Sequence, residues 1–392
     1  MSRRRICVFT GTRAEYGLLR WVMEDLRTDQ SVELQVLVTG SHLSPHFGET
    51  WRQIAADGFA ISARVDMLVD GDSAQATAAS IGLAVMKYAD TLAALRPDIL
   101  VLLGDRYEAL AAATAATCLG IPIAHLHGGE SSEGAIDEAF RHAITVMAHL
   151  HFPAAESYRR RVIQLGVQPD RVFLAGSPAL DNLARLTLLD RAALAADLGF
   201  DLDGRVFMVT YHPVTLGETD PVNEIRELCA ALDHFPDARI VVSRANQDAG
   251  ARAINAHLEQ WAAAAKGRVH LVSSLGTPRY LSLVTTADAV IGNSSSGIIE
   301  VPAAGTATVN VGSRQDGRLR APAVIDCPCV AEAIAAAITR ALTPEHQALA
   351  RQRQTPYGKP GASTLVARTL ATVPLSGLLR KPFHDLPEGA TP

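Results

Sequence analysis

Asp98-Ile-Leu-Val-Leu-Leu-Gly104-Asp-Arg106 decides how the rest of the chain is read. Its apolar run leaves no polar face, as in a strand covered on both sides, and it ends in a carboxylate and a guanidinium. The same grammar precedes it. Arg5-Ile-Cys-Val-Phe-Thr10 runs into Gly11-Thr-Arg-Ala-Glu-Tyr-Gly17, and Val32-Glu-Leu-Gln-Val-Leu-Val-Thr-Gly40 follows. A short strand is expected near 61–65. After Arg106 come Ile121-Pro-Ile-Ala124, Leu150-His-Phe-Pro153 and Val172-Phe-Leu-Ala-Gly176, each read as a strand. Helical runs over 18–27, 74–95 and 110–119 separate them. Continuously apolar strands alternating with helices indicate a parallel sheet with helices on both faces.

The pattern restarts at Arg205-Val-Phe-Met-Val-Thr210 and continues through Ala238-Arg-Ile-Val-Val-Ser243, Val269-His-Leu-Val272, Ala289-Val-Ile-Gly292 and Ala307-Thr-Val-Asn-Val311. Helices are expected at 281–286, 297–303, 330–342 and 364–372. The fold class is therefore α/β with two Rossmann-like doubly wound domains, at 1–180 and 205–362. Residues 181–204 read as a linker and 363–392 as a C-terminal segment. Open sheets of this kind bind ligands outside the carboxyl ends of their strands, so the active site is expected in an interdomain cleft. A chain of 392 residues is long enough for two cores.

A formal net charge of −5, with both signs mixed, argues against a general nucleic-acid or membrane surface. Neither a signal-peptide core nor a bilayer-spanning apolar run is visible, so a soluble, cytoplasmic protein is expected. Cys7, Cys118, Cys229, Cys327 and Cys329 match no zinc or Cys-x-x-Cys spacing and read as buried free thiols.

Chemistry concentrates in Ala124-His-Leu-His-Gly-Gly-Glu-Ser-Ser-Glu-Gly-Ala-Ile-Asp-Glu-Ala-Phe-Arg-His142, where histidines and Glu130, Glu133, Asp137 and Glu138 crowd one loop and one helix start. Asp105 adds a carboxylate from the neighbouring strand end, although an N-cap or an ion pair with Arg106 would also account for it. Helix capping would likewise account for Asp137. His125 and His127, two apart on a strand, are expected on one side. That spacing also occurs in metal sites, but no second ligand pair supports a metal except His149-x-His151, and none is expected. Crowded carboxylates cannot all ionise freely, so one is expected to titrate high as an acid while another serves as a base. His142 reads as an orienting or structural group.

Ser294-Ser295-Ser296-Gly297 follows a strand and opens a helix, where unpaired N–H groups and the helix dipole suit a phosphate. Glu300, one turn in, is placed to reach ribose hydroxyls, and Arg314 stands on the next loop. Gly11-Thr12-Arg13 supplies a second glycine turn with a cation. His212, before Pro213, is either a core histidine or a phosphate or leaving-group contact. Together these suggest a nucleoside diphosphate.

In order along the chain, Gly11-Thr-Arg-Ala-Glu-Tyr-Gly17, Gly104-Asp-Arg106, His125-Leu-His-Gly-Gly-Glu130, Ile136-Asp-Glu-Ala-Phe-Arg-His-Ala-Ile144, His212-Pro213 and Asn293-Ser-Ser-Ser-Gly-Ile-Ile-Glu300 resemble the hydrolysing UDP-N-acetylglucosamine 2-epimerases of sialic- and nonulosonic-acid synthesis. The resemblance implies a glycosyltransferase-B-type fold with the last helix returning to the first domain. It implies elimination of UDP from UDP-GlcNAc to 2-acetamidoglucal, then hydration with inversion at C2 to ManNAc. No cofactor or metal is implied, and a homodimer or tetramer is. It puts Arg13, Arg106, Ser295, Ser296, Gly297, Glu300, Arg314 and His212 on the nucleotide, with Asp105, Glu130, Asp137, His127 and His212 as the catalytic set. Many relatives carry Glu where this chain has His127. The motifs are also similar to those of relatives using UDP-diacetylbacillosamine or GDP-linked sugars. A glycosyltransferase and a non-catalytic nucleotide-sugar binder are the alternatives of other classes.

Overall fold

The computed structural model describes residues 3–45, 48–71, 73–132, 136–213, 220–245, 251–265 and 267–385; Glu133 lies outside them. The chain forms two compact units, the first comprising Met1–Glu130, Ile136–Asp181 and Tyr357–Pro392, the second chiefly Asn182–Pro356.

In the first unit the elements run β1 (Arg4–Thr10), α1 (Arg13–Thr28), β2 (Val32–Thr39), α2 (Trp51–Ala56), β3 (Ala63–Val65), α3 (Ala74–Leu95), β4 (Ile99–Leu103), α4 (Tyr107–Cys118), β5 (Ile123–Leu126), α5 (Asp137–Met147), β6 (Leu150–Phe152) and α6 (Glu156–Gln164). The strands pair in parallel in the order β3-β2-β1-β4-β5-β6. Strand alternation splits the apolar residues between two cores. Ile6, Val8, Ile99 and Val101 face one, and Cys7, Phe9, Leu100 and Leu102 face the other. Both faces are thus covered by helices, which is why these strands carry no polar side.

After α7 (Ala179–Arg185) the second unit runs α8 (Arg191–Leu198), β7 (Val206–Thr210), α9 (Pro221–Asp233), β8 (Arg239–Ser243), α10 (Ala251–Ala264), β9 (Val269–Val272), α11 (Gly276–Thr286), β10 (Ala289–Gly292), α12 (Ser295–Ala304), β11 (Thr308–Val311), β12 (Val324–Cys327), α13 (Ala331–Ala341) and α14 (Pro344–Ala350). Its parallel order, β12-β11-β10-β7-β8-β9, repeats that of the first sheet. In each, successive connections go one way and then the other, giving switch points between β1 and β4 and between β7 and β10.

The chain ends in the first unit with α15 (Ala362–Thr372). Val366, Ala367 and Leu370 join the core beside α1, and the Asp181 carboxylate accepts from the N–H groups of Gly361 and Ser363 at its start.

Several local expectations change. Residues 181–204 are not a bare linker: α8 is capped by Asp190 and buries Leu194 against the second unit's core. Residues 172–176 form no strand beyond a single bridge between Val172 and His151. β12 was not legible, because Asp326 interrupts its short apolar run. Cys118 is exposed rather than buried, while burial pushes the Cys7 and Cys229 thiols up to about 12. By length and composition α3 is apolar enough to cross a bilayer, the one such helix among the described residues. In this fold it packs along α4, burying Tyr88 and Leu92.

Candidate active site

The carboxyl ends of β4 and β5 carry the first unit's polar cluster. Its anchor is Arg141 on α5, a guanidinium only 1% exposed. One nitrogen bonds the Asp105 carboxylate, and another bonds Glu138 Oε2 at 2.8 Å and the Glu130 carbonyl at 2.9 Å. A buried guanidinium needs such partners to offset its lost hydration. Asp105 therefore pairs with Arg141, 36 residues on, and not with its neighbour. Arg106 instead lies on the buried Glu108 carboxylate at 3.1 and 3.3 Å, with 43% of its side chain exposed.

β5 ends at Leu126, so strand alternation does not extend to His127. The two histidines diverge accordingly. His125 is buried between the Gly104 carbonyl, 2.7 Å from Nε2, and Thr145 Oγ1, 3.2 Å from Nδ1. Burial lowers its pKa to about 4, so it is a neutral structural group. His127 takes a left-handed backbone, φ +63°, uncommon for a residue with a Cβ. That turn sets its Nδ1 2.7 Å from Glu130 Oε1, and Glu130 is 2% exposed. Ser177 Oγ stands 3.5 Å from Nε2, at the outer limit of a hydrogen bond. Gly129 permits the turn: at φ +79°, a Cβ there would meet the Tyr158 carbonyl at 2.4 Å.

Asp137 opens α5 four residues before Arg141, hence on the same helical face. His142 bonds Glu138 at 3.1 Å, consistent with an orienting group. Among the described residues no trio of His, Cys, Asp or Glu is arranged to hold a metal.

The glycine turn after β1 differs from expectation. Glu15 Oε2 accepts from the N–H groups of Gly11 at 2.6 Å and Thr12 at 3.0 Å, while Thr12 caps α1. The turn's donors are thus met by the chain's own carboxylate, and Arg13 stands exposed beside it. Burial, then the nearby Glu108, pushes the Glu15 carboxyl up to about 7.

In the second unit the serine turn follows β10. Ser294 caps α12, and Ser295, Ser296 and Gly297 form its first turn. Tyr280 donates to Ser296 Oγ at 2.9 Å. Burial raises the Glu300 carboxyl to about 7, partly countered by Ser296. The 7%-exposed His212 follows β7, and burial, with Arg314 second, drives its pKa down to about 3. Arg314 donates to the Asn293 carbonyl at 3.2 Å. His212, the serine turn and Arg314 are thus brought to one edge of this sheet.

A family model described as UDP-N-acetylglucosamine 2-epimerase matches residues 24–371. The chain belongs to that family. It is 40% identical over 326 residues to the GDP/UDP-N,N'-diacetylbacillosamine 2-epimerase (hydrolyzing) of Campylobacter jejuni, covering 83% of this chain and 85% of that protein. It is 34% identical to the polysialic acid biosynthesis protein P7 of Escherichia coli, over 99% of both chains. The UDP-GlcNAc 2-epimerase of Neisseria meningitidis, solved bound to UDP-GlcNAc, shares the glycosyltransferase-B-type fold: TM-score 0.79, 18% identity, covering 94% of this chain and 99% of that one.

Sequence reasoning missed Arg141, Glu15, Glu108 and Asn293 as structural members of these sites. Thr12-x-x-Glu15 is a capping-box spacing and was readable; the burial of Arg141 was not.

Proposed function

We propose that this member of the family is a hydrolysing 2-epimerase of a nucleoside-diphosphate 2-acetamido sugar, with UDP-N,N'-diacetylbacillosamine the leading substrate and UDP-GlcNAc the second. The observation carrying the reaction type is the His127–Glu130 pair, 2.7 Å apart, beside the Arg141-held Asp105. That is a proton-transfer set, and more than leaving-group stabilisation requires. The order of substrates follows the identities, 40% to the diacetylbacillosamine enzyme against 27% to the UDP-N-acetylglucosamine 2-epimerase of Neisseria meningitidis serogroup B.

In this reading the serine turn and Arg314 take the diphosphate, with His212, Arg13 and Arg106 as further contacts, and Glu300 takes the ribose. A base removes the C2 proton while the C1–O bond breaks and the nucleoside diphosphate leaves. The C2–H electron pair becomes the C1=C2 bond of a glycal. Water then adds at C1 and a proton at the opposite face of C2, releasing the free 2-epimer. N–H and cationic donors on the diphosphate stabilise the departing charge. His127 and Glu130 are the proton-transfer pair in this reading. Asp105 and Asp137 complete the acid–base set.

The test is incubation with UDP-N,N'-diacetylbacillosamine, UDP-GlcNAc and their GDP counterparts, without acceptor, in heavy water. Nucleoside diphosphate release with deuterium at C2 of the freed sugar is expected. Turnover only when an acceptor sugar is added would instead identify a glycosyltransferase, and binding without turnover a nucleotide-sugar sensor. The protein is further proposed to work as a homo-oligomer.

A further inference from the structure

We propose that Asn293 is a positioning residue for this reaction, acting through His212; the inference rests on reading His212 as a group that meets the substrate. At the switch point of the second sheet β7 and β10 run close together. A Cβ on Gly292 would sit 1.9 Å from the Thr210 carbonyl, so only glycine fits there. Pairing continues one step further, with Asn293 N–H on the Thr210 carbonyl at 3.1 Å. Both strands have ended by that point.

There the Asn293 side chain takes over as a substitute strand. Its Oδ1 accepts the His212 N–H at 2.8 Å, and its Nδ2 donates to the His212 carbonyl at 2.7 Å. Asn293 is 0% exposed, so both bonds form away from water. The next residue, Pro213, has no N–H with which to anchor itself, which leaves the His212 peptide as the place to fix this loop. Asparagine suits the task because one planar group carries both a donor and an acceptor; aspartate offers no donor and alanine neither.

The backbone of Asn293 has a separate task. Its carbonyl accepts from Gln315 Nε2 at 2.8 Å and from Arg314 Nη1 at 3.2 Å. Any residue at this position would keep that carbonyl. What the asparagine side chain adds is therefore specific to His212. The imidazole is already neutral through burial, so its placement, and not its charge, is what remains to be set.

The inference is tested by a double-mutant cycle on the full chain. Asn293→Asp and His212→Ala are made singly and together, and kcat and KM are measured from UDP release. Asn293→Asp is expected to lower kcat about tenfold, and by less than about threefold once His212 is alanine. A purely structural role would cost the same factor in both backgrounds, and that additive result overturns the inference, as does parental kcat in Asn293→Asp. Melting temperature establishes that each variant is folded. Should Asn293→Asp fail to fold, Asn293→Ala, which adds no buried charge, repeats the cycle. A parent chain that releases no nucleoside diphosphate from any of the sugars overturns the functional reading and this inference with it. An active parent with an additive cycle overturns the inference alone.

Discussion

The buried carboxyl of Glu15 should make the first unit less stable as pH rises. Burial, reinforced by Glu108, raises its pKa from 4.5 to about 7, although Arg106 and two backbone N–H groups pull the other way. Between those values the unfolded chain has already released the proton that the folded chain still holds. The folded state binds more protons there, so its stability falls with rising pH. A raise of this size corresponds to about 3 kcal/mol, present below pH 4.5 and gone once pH passes about 7. Glu15→Gln keeps an acceptor for the Gly11 and Thr12 N–H groups and carries no titrating proton. The variant should match the parent near pH 4 and exceed it at pH 8. The assay is urea unfolding at half-unit pH steps in a Trp261→Phe background. Trp21 and Trp51, the remaining tryptophans, then report on the first unit alone. Parallel stability–pH curves for Glu15→Gln and its parent would refute the reasoning.

Arg141→Met should cost about 3 kcal/mol of stability, the low end for breaking a buried ion pair, because Asp105 and Glu138 keep 24% and 28% of their side chains exposed; urea midpoints measure it. His127→Ala, Glu130→Gln, Asp105→Asn and Asp137→Asn should each lose about 10²–10⁴-fold in kcat while still binding UDP, and His127→Ala should also shift the pH–rate profile. Near-parental turnover in the Asp105 and Asp137 variants would remove the acid–base assignment. Arg13→Ala and Glu300→Ala should each weaken UDP binding about tenfold by calorimetry, as for a lost charge-assisted contact, and unchanged affinity in both would displace the nucleotide assignment.

The sequence by itself determined the two α/β units. A strand such as β4, apolar at every position, is stable only when both faces are covered, and that requires helices on either side of a parallel sheet. It also determined which residues stand at the strand ends. Asp105 in the first sheet, and His212 and Ser294 in the second, each stand two residues past the end of an apolar run, and within one parallel sheet the carboxyl ends of its strands share one edge. Segments whose strand signal was weak or misleading were not legible in this way. β12 carries an aspartate in four residues, and 172–176 looks like a strand but finds only one bridge. Only the tertiary structure decided which polar groups pair. Asp105 lies next to Arg106 in sequence, yet bonds Arg141, because a fully buried guanidinium takes its partners from whatever side chains packing brings within reach. The Thr12-x-x-Glu15 spacing by itself returns a carboxylate to the N–H groups of the glycine turn after β1; packing decided that this carboxylate is buried, with Glu108 nearby. His127 left the face of His125 because its backbone turns left-handed at the strand end, a conformation that Gly129, packed against α6, permits and that periodicity cannot encode.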